Sequence, residues 1–300
     1  MERLAIGFLH PGEMGVSLAA TVLRGGHEAL WAADGRGAAT RARATEHGLT
    51  DAGGVGALCA RSDVVVSICP PHAAEAVAAA VAEAGFRGLF VDANAIAPAR
   101  MTDVGRRLAE AGIDVVDGGV IGGPAWIPGT RLVLSGARAA EVAAAFAAGP
   151  LVTEVLGTEL GTASALKMAY ASVTKGTTAL LAAALAAAEG HGVGEALLRQ
   201  WALDAPGSDD DRALRVRRVT RKAWRFAGEM EEIAATFEAA GVPGGFHAAA
   251  AELFRRLAGF KGAVELPALA QVLEAAAASG IGEGGRPAPA PGGDAQGGGR

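Results

Sequence analysis

Short apolar runs and Ala-rich segments alternate along the first half of the chain. Apolar runs with few polar residues are typical of strands buried on both faces, and they lie at 4–9, 29–32, 63–69, 88–92, 114–117 and 131–135. Helical patterns fall between most of them, at 13–24, 37–47, 72–84 and 98–111. This alternation predicts a doubly wound, mostly parallel sheet with helices packed on it.

The pattern changes near residue 158, after which only helical patterns follow. They cover 161–189, 194–203, 209–240, 244–258 and 266–279. The sequence therefore predicts an α/β domain over residues 1–158 and an all-helical C-terminal domain over 159–280, hinged on the first by the long helix. The Gly/Pro-rich composition of residues 281–300 predicts a disordered tail.

Composition and charge narrow the class of protein. The net charge of −5 argues against a nucleic-acid surface. Cys59 and Cys69 fit neither a zinc pattern nor a disulfide framework, so no metal site is predicted. The start of the chain lacks a signal-peptide pattern, and Glu189 and His191 close the apolar run at 178–188 before it could span a bilayer. We therefore expect a cytoplasmic protein with neither a nucleic-acid nor a membrane partner.

A glycine-bearing turn follows the first predicted strand. It reads His10-Pro11-Gly12-Glu13-Met14-Gly15, and Gly7 lies in the strand before it. A turn of this kind at a helix N-terminus is typical of Rossmann dinucleotide-binding domains, because bare backbone and unpaired N–H groups can approach a pyrophosphate. The usual pattern is G-x-G-x-x-G, and His10 stands at its first glycine. We expect Gly7 and all six turn residues to contact NAD or NADP.

The end of the second strand bears on the choice between the two cofactors. An acidic residue there binds the ribose 2′-OH of NAD, whereas an arginine favours the 2′-phosphate of NADP. The customary acid position is Ala33, Asp34 is one residue away, and Arg36 follows in the loop. The sequence therefore favours NADP over NAD, with Arg36 on the 2′-phosphate. Taken alone, Arg36 is equally well interpreted as a solvent-exposed loop residue.

Two further strand ends supply candidate cofactor contacts. Cys69 and Pro70 end one apolar run, and Asn94 follows the next. Loops at the carboxyl ends of parallel strands line the cofactor crevice in such sheets, so these three residues are expected there. Asn94 could bind nicotinamide or substrate, or it could act as a helix N-cap or turn residue.

The segment Asp117-Gly118-Gly119-Val120-Ile121-Gly122-Gly123-Pro124 is unusually rich in glycine. Glycines in such a run are costly unless the backbone bends sharply or a ligand comes close to it. Exposed N–H groups there could bind a carboxylate, and a plain turn is the alternative. We expect Gly122 and Gly123 to hold the substrate.

Lys167 lies in the first turns of the long helix, among Ala, Leu and Met residues. Tyr170, Ala171, Thr174 and Lys175 follow at steps that keep them near its side of the helix. A lysine beside apolar surface and another cation has a lowered pKa, so Lys167 can exchange a proton during hydride transfer. Thr174 is a candidate substrate contact. The alternative is a lysine that snorkels along an apolar helix.

Together these segments resemble the β-hydroxyacid dehydrogenase superfamily, which includes 6-phosphogluconate dehydrogenase, over residues 4–280. The resemblance is closest to the branch with a DUF1932-type C-terminal domain. It is carried by His10–Gly15, Asp117–Pro124, Leu166–Ala171, Trp224–Ala234 and Gly241–His247. It implies a Rossmann domain and a helical domain joined by a long helix, NAD(P) binding and lysine-assisted redox chemistry. It also implies homodimers in which one subunit helps close the site of the other.

Two departures from the superfamily concern the substrate. Its substrate-binding serine is Ile121 here, and its asparagine four residues after the lysine is Ala171. The resemblance implies that both positions face the substrate, and the departures argue against an ordinary 3-hydroxy acid. Tyr170 is expected to replace some of the lost hydrogen bonding. Glu229, Glu232 and His247 are candidate substrate groups. The alternative for the two glutamates is an exposed or dimer-rim helix face, and the alternative for His247 is a residue at a helix start.

The sequence thus predicts an NADP-dependent oxidoreductase acting on a carbonyl or alcohol of a small anionic substrate. Lys167 would be the general acid in reduction and the general base in oxidation, with Tyr170 beside it. One alternative is an imine reductase, a class that shares this architecture but usually lacks the lysine. Another is a non-catalytic NADP-binding sensor or interaction protein, which the lost serine and asparagine favour.

Overall fold

The computed structural model describes residues 2–278. The predicted tail at 281–300 lies outside this range. The strands are β1 (Ala5–Phe8), β2 (Glu28–Trp31), β3 (Thr50–Asp51), β4 (Val64–Ser67), β5 (Leu89–Asp92), β6 (Asp114–Ile121), β7 (Arg131–Ser135) and β8 (Val152–Gly157). The helices are α1 (Glu13–Arg24), α2 (Ala38–Glu46), α3 (Val55–Arg61), α4 (Ala74–Glu83), α5 (Pro98–Glu110), α6 (Ala139–Ala145), α7 (Thr162–Gly190), α8 (Gly194–Asp204), α9 (Ser208–Ala239), α10 (Gly245–Arg256) and α11 (Leu269–Ala277).

All eight strands form one sheet in the order β3-β2-β1-β4-β5-β6-β7-β8. Every neighbouring pair is parallel except β6 with β7. The chain order reverses between β1 and β4, so the loops after these two strands flank a crevice at the carboxyl edge of the sheet. The predicted fold class, a doubly wound and mostly parallel sheet followed by helices, is confirmed.

The structure adds four elements that the sequence pattern did not reveal. These are the short strand β3, the partly exposed strand β8 and the short helices α3 and α6. Strand β6 also runs four residues beyond the predicted end, through Gly118 and Gly119 to Ile121. A Cβ on Gly118 would meet the Asp92 carbonyl oxygen at 3.2 Å, so this glycine serves close strand packing and does not form a turn.

Helix α7 joins the sheet to the helical region. Near its start, Ala163 packs with Ile121 and Val133 of the sheet. From Met168 onward most of its buried apolar residues belong to the core shared with α9, α10 and α11. The helix is long and apolar enough to cross a membrane by length and composition. Core helices of soluble proteins can have the same length and hydropathy, and 44% of the most apolar stretch of α7 is buried in the fold.

Helix α9 is fastened to the sheet through Glu232. The Ala97 backbone N–H, at the start of α5, donates a 2.7 Å hydrogen bond to Glu232 Oε2. Arg100 pairs with the other carboxylate oxygen and also with Glu75, at 2.8 Å. Glu229 and Glu232 are each only 9% exposed, so the expected exposed or dimer-rim face is wrong for both. Their carboxylates are used for contacts inside the molecule.

Candidate functional site

The start of α7 is held by a carboxylate from the sheet. Asp117, at the end of the predicted strand in β6, is fully buried. Its Oδ2 accepts hydrogen bonds from the backbone N–H groups of Gly161 (3.0 Å) and Ser164 (2.9 Å) and from Ser135 Oγ (3.1 Å). Its Oδ1 accepts one from Ser164 Oγ at 2.7 Å. The carboxylate therefore caps a helix whose Ncap residue, Gly161, has no side chain to do so.

This attachment brings Lys167 against β6. A Cβ on Gly119 would lie 3.0 Å from Lys167 Cβ and 2.9 Å from Val133 Cγ2, so only glycine allows the approach. The Lys167 ammonium donates a hydrogen bond to the Val120 carbonyl oxygen. Lys167 is thus aimed at the end of β6, and the interpretation as a lysine snorkelling to solvent does not describe it.

Burial and neighbouring charges lower the pKa of Lys167 to about 8. Desolvation contributes most, followed by the positive charge of Lys175; the carboxylate of Glu229 acts in the opposite direction, and Arg225 lowers the pKa further. Lys175 Nζ lies 2.7 Å from Glu229 Oε2, and both side chains are nearly buried. A lysine with this pKa holds and releases a proton near neutral pH.

The backbone of the glycine turn after β1 is open at Gly12. A Cβ on Gly12 would meet nothing within 4 Å, so its backbone faces open space. A Cβ on Gly15 would lie 2.3 Å from the His10 carbonyl oxygen, which explains why α1 can begin so close to the turn. Gly7, in β1, is crowded on the side where a Cβ would lie. A Cβ there would meet Leu58 and Ser62 of the α3 region, so Gly7 serves packing.

The other turn residues differ in their surroundings. His10 is largely buried, and burial together with Arg36 lowers its pKa to about 4, so the ring is neutral. Pro11 is buried, Met14 is half-buried and Glu13 is exposed at the start of α1. The His10 ring therefore places no positive charge at the turn, and backbone N–H groups and arginines are left to face a phosphate.

Arg36 folds back onto the end of β1. Its Nη2 donates to the Leu9 carbonyl oxygen at 3.1 Å, and its Nε is buried without a partner among residues 2–278. Arg41 Nη2 donates to the Ala33 carbonyl oxygen at 2.7 Å. Asp34 is exposed, with its carboxylate against Gly54. Two arginines thus lie at the ends of β1 and β2, where the adenosine end of a dinucleotide binds in this fold.

Asn94 joins two strand ends. Its Oδ1 accepts a 2.6 Å hydrogen bond from the Cys69 N–H, its Nδ2 donates to Ser67 Oγ, and its own N–H donates to Asp92 Oδ1. The turn interpretation therefore describes Asn94 better than direct cofactor binding, and Ala97 is the Ncap of α5. Burial raises the pKa of the Cys69 thiol to about 11, so it stays neutral. Cys69 and Pro70 remain at the crevice edge.

The glycine segment after β6 contains both a bend and open backbone. Gly122 has φ +114°, and a Cβ on it would meet the Gly129 carbonyl oxygen at 2.9 Å. Gly123 has open space at its Cβ position, and its carbonyl oxygen accepts from Thr130 Oγ1 at 2.7 Å. Ile121 is buried with Val133 and Ala163, so the side chain at the superfamily's serine position packs in the core.

Apart from Glu229, whose carboxylate acts on the pKa of Lys167, the remaining predicted site residues make contacts within the fold or face solvent. Ala171 is buried in the helical core, and the Thr174 hydroxyl donates to its own helix. Tyr170 is 48% exposed, and its hydroxyl makes no hydrogen bond within the described residues. His247 is buried against Phe237, with ring centroids 4.3 Å apart, and burial lowers its pKa. It is a core residue at the start of α10.

Sequence reasoning missed a row of polar residues that crosses the sheet. Ser67, Asp92, Asp117 and Ser135 are register partners on β4, β5, β6 and β7. Asp92, Asp117 and Ser135 each end an apolar run, and Ser67 lies two residues before the end of one; that shared position was the available signal. Sequence reasoning also missed Arg225, whose charge acts on Lys167. Within residues 2–278 there is no group of three or more His, Cys, Asp or Glu side chains that could hold a metal ion.

The crevice, the open glycine turn and the contact of Lys167 with the end of β6 belong to a dinucleotide-binding fold of the dehydrogenase type. Residues 5–148 match the NAD binding domain of 6-phosphogluconate dehydrogenase, and residues 188–257 match a domain of unknown function, DUF1932. The two matches confirm the resemblance of this chain to the 6-phosphogluconate dehydrogenase-like superfamily, in the branch with a DUF1932 C-terminal domain.

Solved structures share this fold over nearly the whole chain. A conserved hypothetical protein from Sinorhizobium meliloti 1021 is 27% identical with a TM-score of 0.64, covering 92% of this chain and 96% of its own. The 3-hydroxyisobutyrate dehydrogenase of Mycobacterium tuberculosis, solved with L-serine, is 17% identical with a TM-score of 0.67; the match covers 92% of this chain and 100% of the dehydrogenase. A Streptomyces aurantiacus imine reductase is 22% identical with a TM-score of 0.53; the match covers 90% of this chain and 98% of the reductase. No curated protein matches the chain.

Proposed function

We propose that this protein is an NADP-dependent oxidoreductase that transfers hydride between nicotinamide and the carbonyl or alcohol carbon of a small anionic substrate. The observation that carries the proposal is the placement of Lys167. Its ammonium lies at the end of β6 beside a dinucleotide-binding sheet, with a pKa of about 8. A free lysine would stay charged throughout the physiological range, so this pKa makes proton exchange with a substrate oxygen feasible.

The residues around the crevice fit a dinucleotide. The open face of Gly12 and the N-terminus of α1 would bind the pyrophosphate, and the partnerless Nε of Arg36 is a donor available to a 2′-phosphate. Arg41, bonded to the Ala33 carbonyl oxygen, adds a second positive charge at the end of β2, which supports NADP over NAD. The bound nicotinamide would supply or accept the hydride.

Lys167 has opposite roles in the two directions. In reduction its ammonium donates a proton to the oxygen of the developing alcohol, and in oxidation its neutral amine removes that proton. Reduction therefore needs the protonated form and should slow as pH rises through about 8. Oxidation needs the neutral form and should speed up over the same range. The Val120 carbonyl keeps the amine oriented in both states.

We infer that the working protein is a homodimer. Leu166, Tyr170, Val173 and Leu180 form an apolar stripe along α7, with exposed fractions from 38% to 67%. Exposed apolar surface of this kind is typical of an association site, and a second copy would cover it and bring Tyr170 to a shared site. Light scattering at micromolar concentration tests this, and a monomer would contradict it. Cytoplasmic localisation remains an expectation.

The two alternative functions predict different results in one assay. The imine reductase alternative has the shared fold in its favour, but Lys167 favours carbonyl chemistry. The sensor alternative predicts cofactor binding without turnover. NADPH oxidation should be measured with 2- and 3-oxo acids, aldehydes and cyclic imines. Turnover with an oxo acid supports the proposal, turnover with imines alone favours the imine reductase, and tight NADPH binding without turnover favours the sensor.

A further inference from the structure

Three cations and one carboxylate lie together between α7 and α9. Lys175 and Arg225 both lower the pKa of Lys167 through their charges, and Glu229 raises it, so all three act on the same ammonium. Lys175 and Glu229 form the 2.7 Å pair, with side chains 12% and 11% exposed. With Lys167 protonated, the cluster has two more positive than negative charges. An excess of positive charge in a partly buried cluster favours a bound anion, so this excess points to an anion that completes the site.

Arg225 is the member of the cluster with unused hydrogen-bonding capacity. Its Nε is buried and has no hydrogen-bond partner within the described part of the chain. The nearest carboxylate oxygen, Glu229 Oε1, is 3.9 Å away, which is too far for a hydrogen bond. The Glu229 carboxylate is held by Lys175 instead. The guanidinium lies 5.5 Å from the ring of Phe226, and the side chain is 36% exposed, so ligands can reach it.

The cluster lies at the crevice edge of the sheet. One residue before Glu229, a Cβ on Gly228 would lie 4.0 Å from Pro71 in the loop after β4. One turn further along α9, Glu232 is bonded to the Ala97 N–H and to Arg100. These contacts fix this part of α9 over the loops after β4 and β5, which border the cofactor crevice.

We propose that Arg225 and Lys175 form an oxyanion-binding subsite that takes the carboxylate or phosphate group of the substrate and presents its reacting carbon to Lys167. This rests on the function proposed above and identifies the substrate class as oxyanion-bearing. The planar guanidinium can bind two oxygens at once, which a lysine cannot reproduce. Glu229 then acts as the group that positions Lys175 and does not contact the substrate.

The test measures anion binding by calorimetry on the full chain, so it needs no turnover. The probes are inorganic phosphate and oxamate, which distinguish a phosphate group from a carboxylate. The variants are Arg225→Ala and Arg225→Gln, which keeps more of the side-chain stem, together with Arg225→Lys. The control is Arg218→Ala, at an exposed position two turns earlier on α9. Urea unfolding confirms that each variant is folded.

We expect the unmodified protein to bind at least one probe, and all three Arg225 variants to bind it at least about tenfold more weakly, the usual effect of losing a charge-assisted contact. Arg218→Ala should stay within about twofold of the unmodified protein. No binding of either probe, or equal binding by the Arg225 variants, would overturn the subsite. Arg225-dependent binding without NADPH-dependent turnover on any substrate would overturn the proposed function and leave the subsite intact.

Discussion

Removing the Asp117 carboxylate should release the start of α7 and destabilise the protein. The Asp117→Ala change leaves the backbone N–H groups of Gly161 and Ser164 without their acceptor, at a position buried in the structure. A buried donor that loses its partner costs about 1–3 kcal/mol. Two such donors therefore predict a loss of about 2–6 kcal/mol in the free energy of unfolding.

Asp117→Asn should be milder. An amide oxygen at the Oδ2 position can still accept from Gly161, Ser164 and Ser135, and the amide nitrogen can donate to the Ser164 hydroxyl, which now donates to Oδ1. The charge assistance is lost, but burial raises the pKa of Asp117, so the neutral amide also avoids part of the cost of burying a charge. We therefore expect a loss of no more than about 1–2 kcal/mol.

The assay is urea unfolding followed by circular dichroism, with an unchanged slope taken as evidence for the same transition. Asp114→Ala is the matched control, because Asp114 lies on the same strand and makes an exposed pair with Arg138. Exposed pairs contribute about 0–1 kcal/mol. An Asp117→Ala variant as stable as Asp114→Ala would refute the reasoning that this carboxylate fixes the helix.

Three further predictions follow from the charges around the site. Lys175→Met should raise the pKa of Lys167, and Glu229→Gln should lower it. The pH above which reduction slows should therefore move upward in Lys175→Met and downward in Glu229→Gln. Shifts in the same direction would contradict the charge assignment. Burial raises the pKa of Asp92 to about 7, so ionisation should destabilise the fold as pH rises from about 4 to 7. The urea midpoint should therefore fall over this pH range, and Asp92→Asn should make the fall smaller. A fall of the same size in Asp92→Asn would contradict this role of Asp92. In fluorescence titrations, Arg36→Ala should weaken NADPH binding at least about tenfold and leave NADH binding unchanged. Equal weakening of NADPH and NADH binding would show that Arg36 does not bind the 2′-phosphate.

Much of the fold was accessible from sequence because its strands are buried on both faces. Runs such as Val64–Ser67 and Leu89–Asp92 have no alternation, and the helices between them are regular. The pattern failed where burial is partial: β3 has two exposed residues, and β8 has only exposed and half-buried positions, in no regular order. Edge elements of this kind carry little periodic signal.

The candidate site was only partly accessible. The position of Lys167 on a helix and the glycine turn are local features, so the sequence revealed both. Whether Asn94 faces a ligand or the Cys69 N–H depends on how two strands align, and that is a non-local property. The same holds for Gly119: this position must be glycine only because α7 packs against β6, which the local sequence does not reveal. Asp117 and Arg225 needed the folded chain to show their partners.

The central claim is that Lys167 moves the proton that accompanies hydride transfer. The most direct test compares Lys167→Met with the unmodified protein, using turnover on the best substrate found and NADPH affinity in the same preparations. The account predicts turnover lowered by about 10²–10⁴-fold, the usual size of general acid–base assistance, with NADPH affinity nearly unchanged. Lys167→Arg should not restore turnover, because guanidinium keeps its proton, and Lys222→Ala, at an exposed site on α9, should behave like the unmodified protein. Near-normal turnover in Lys167→Met would contradict the claim.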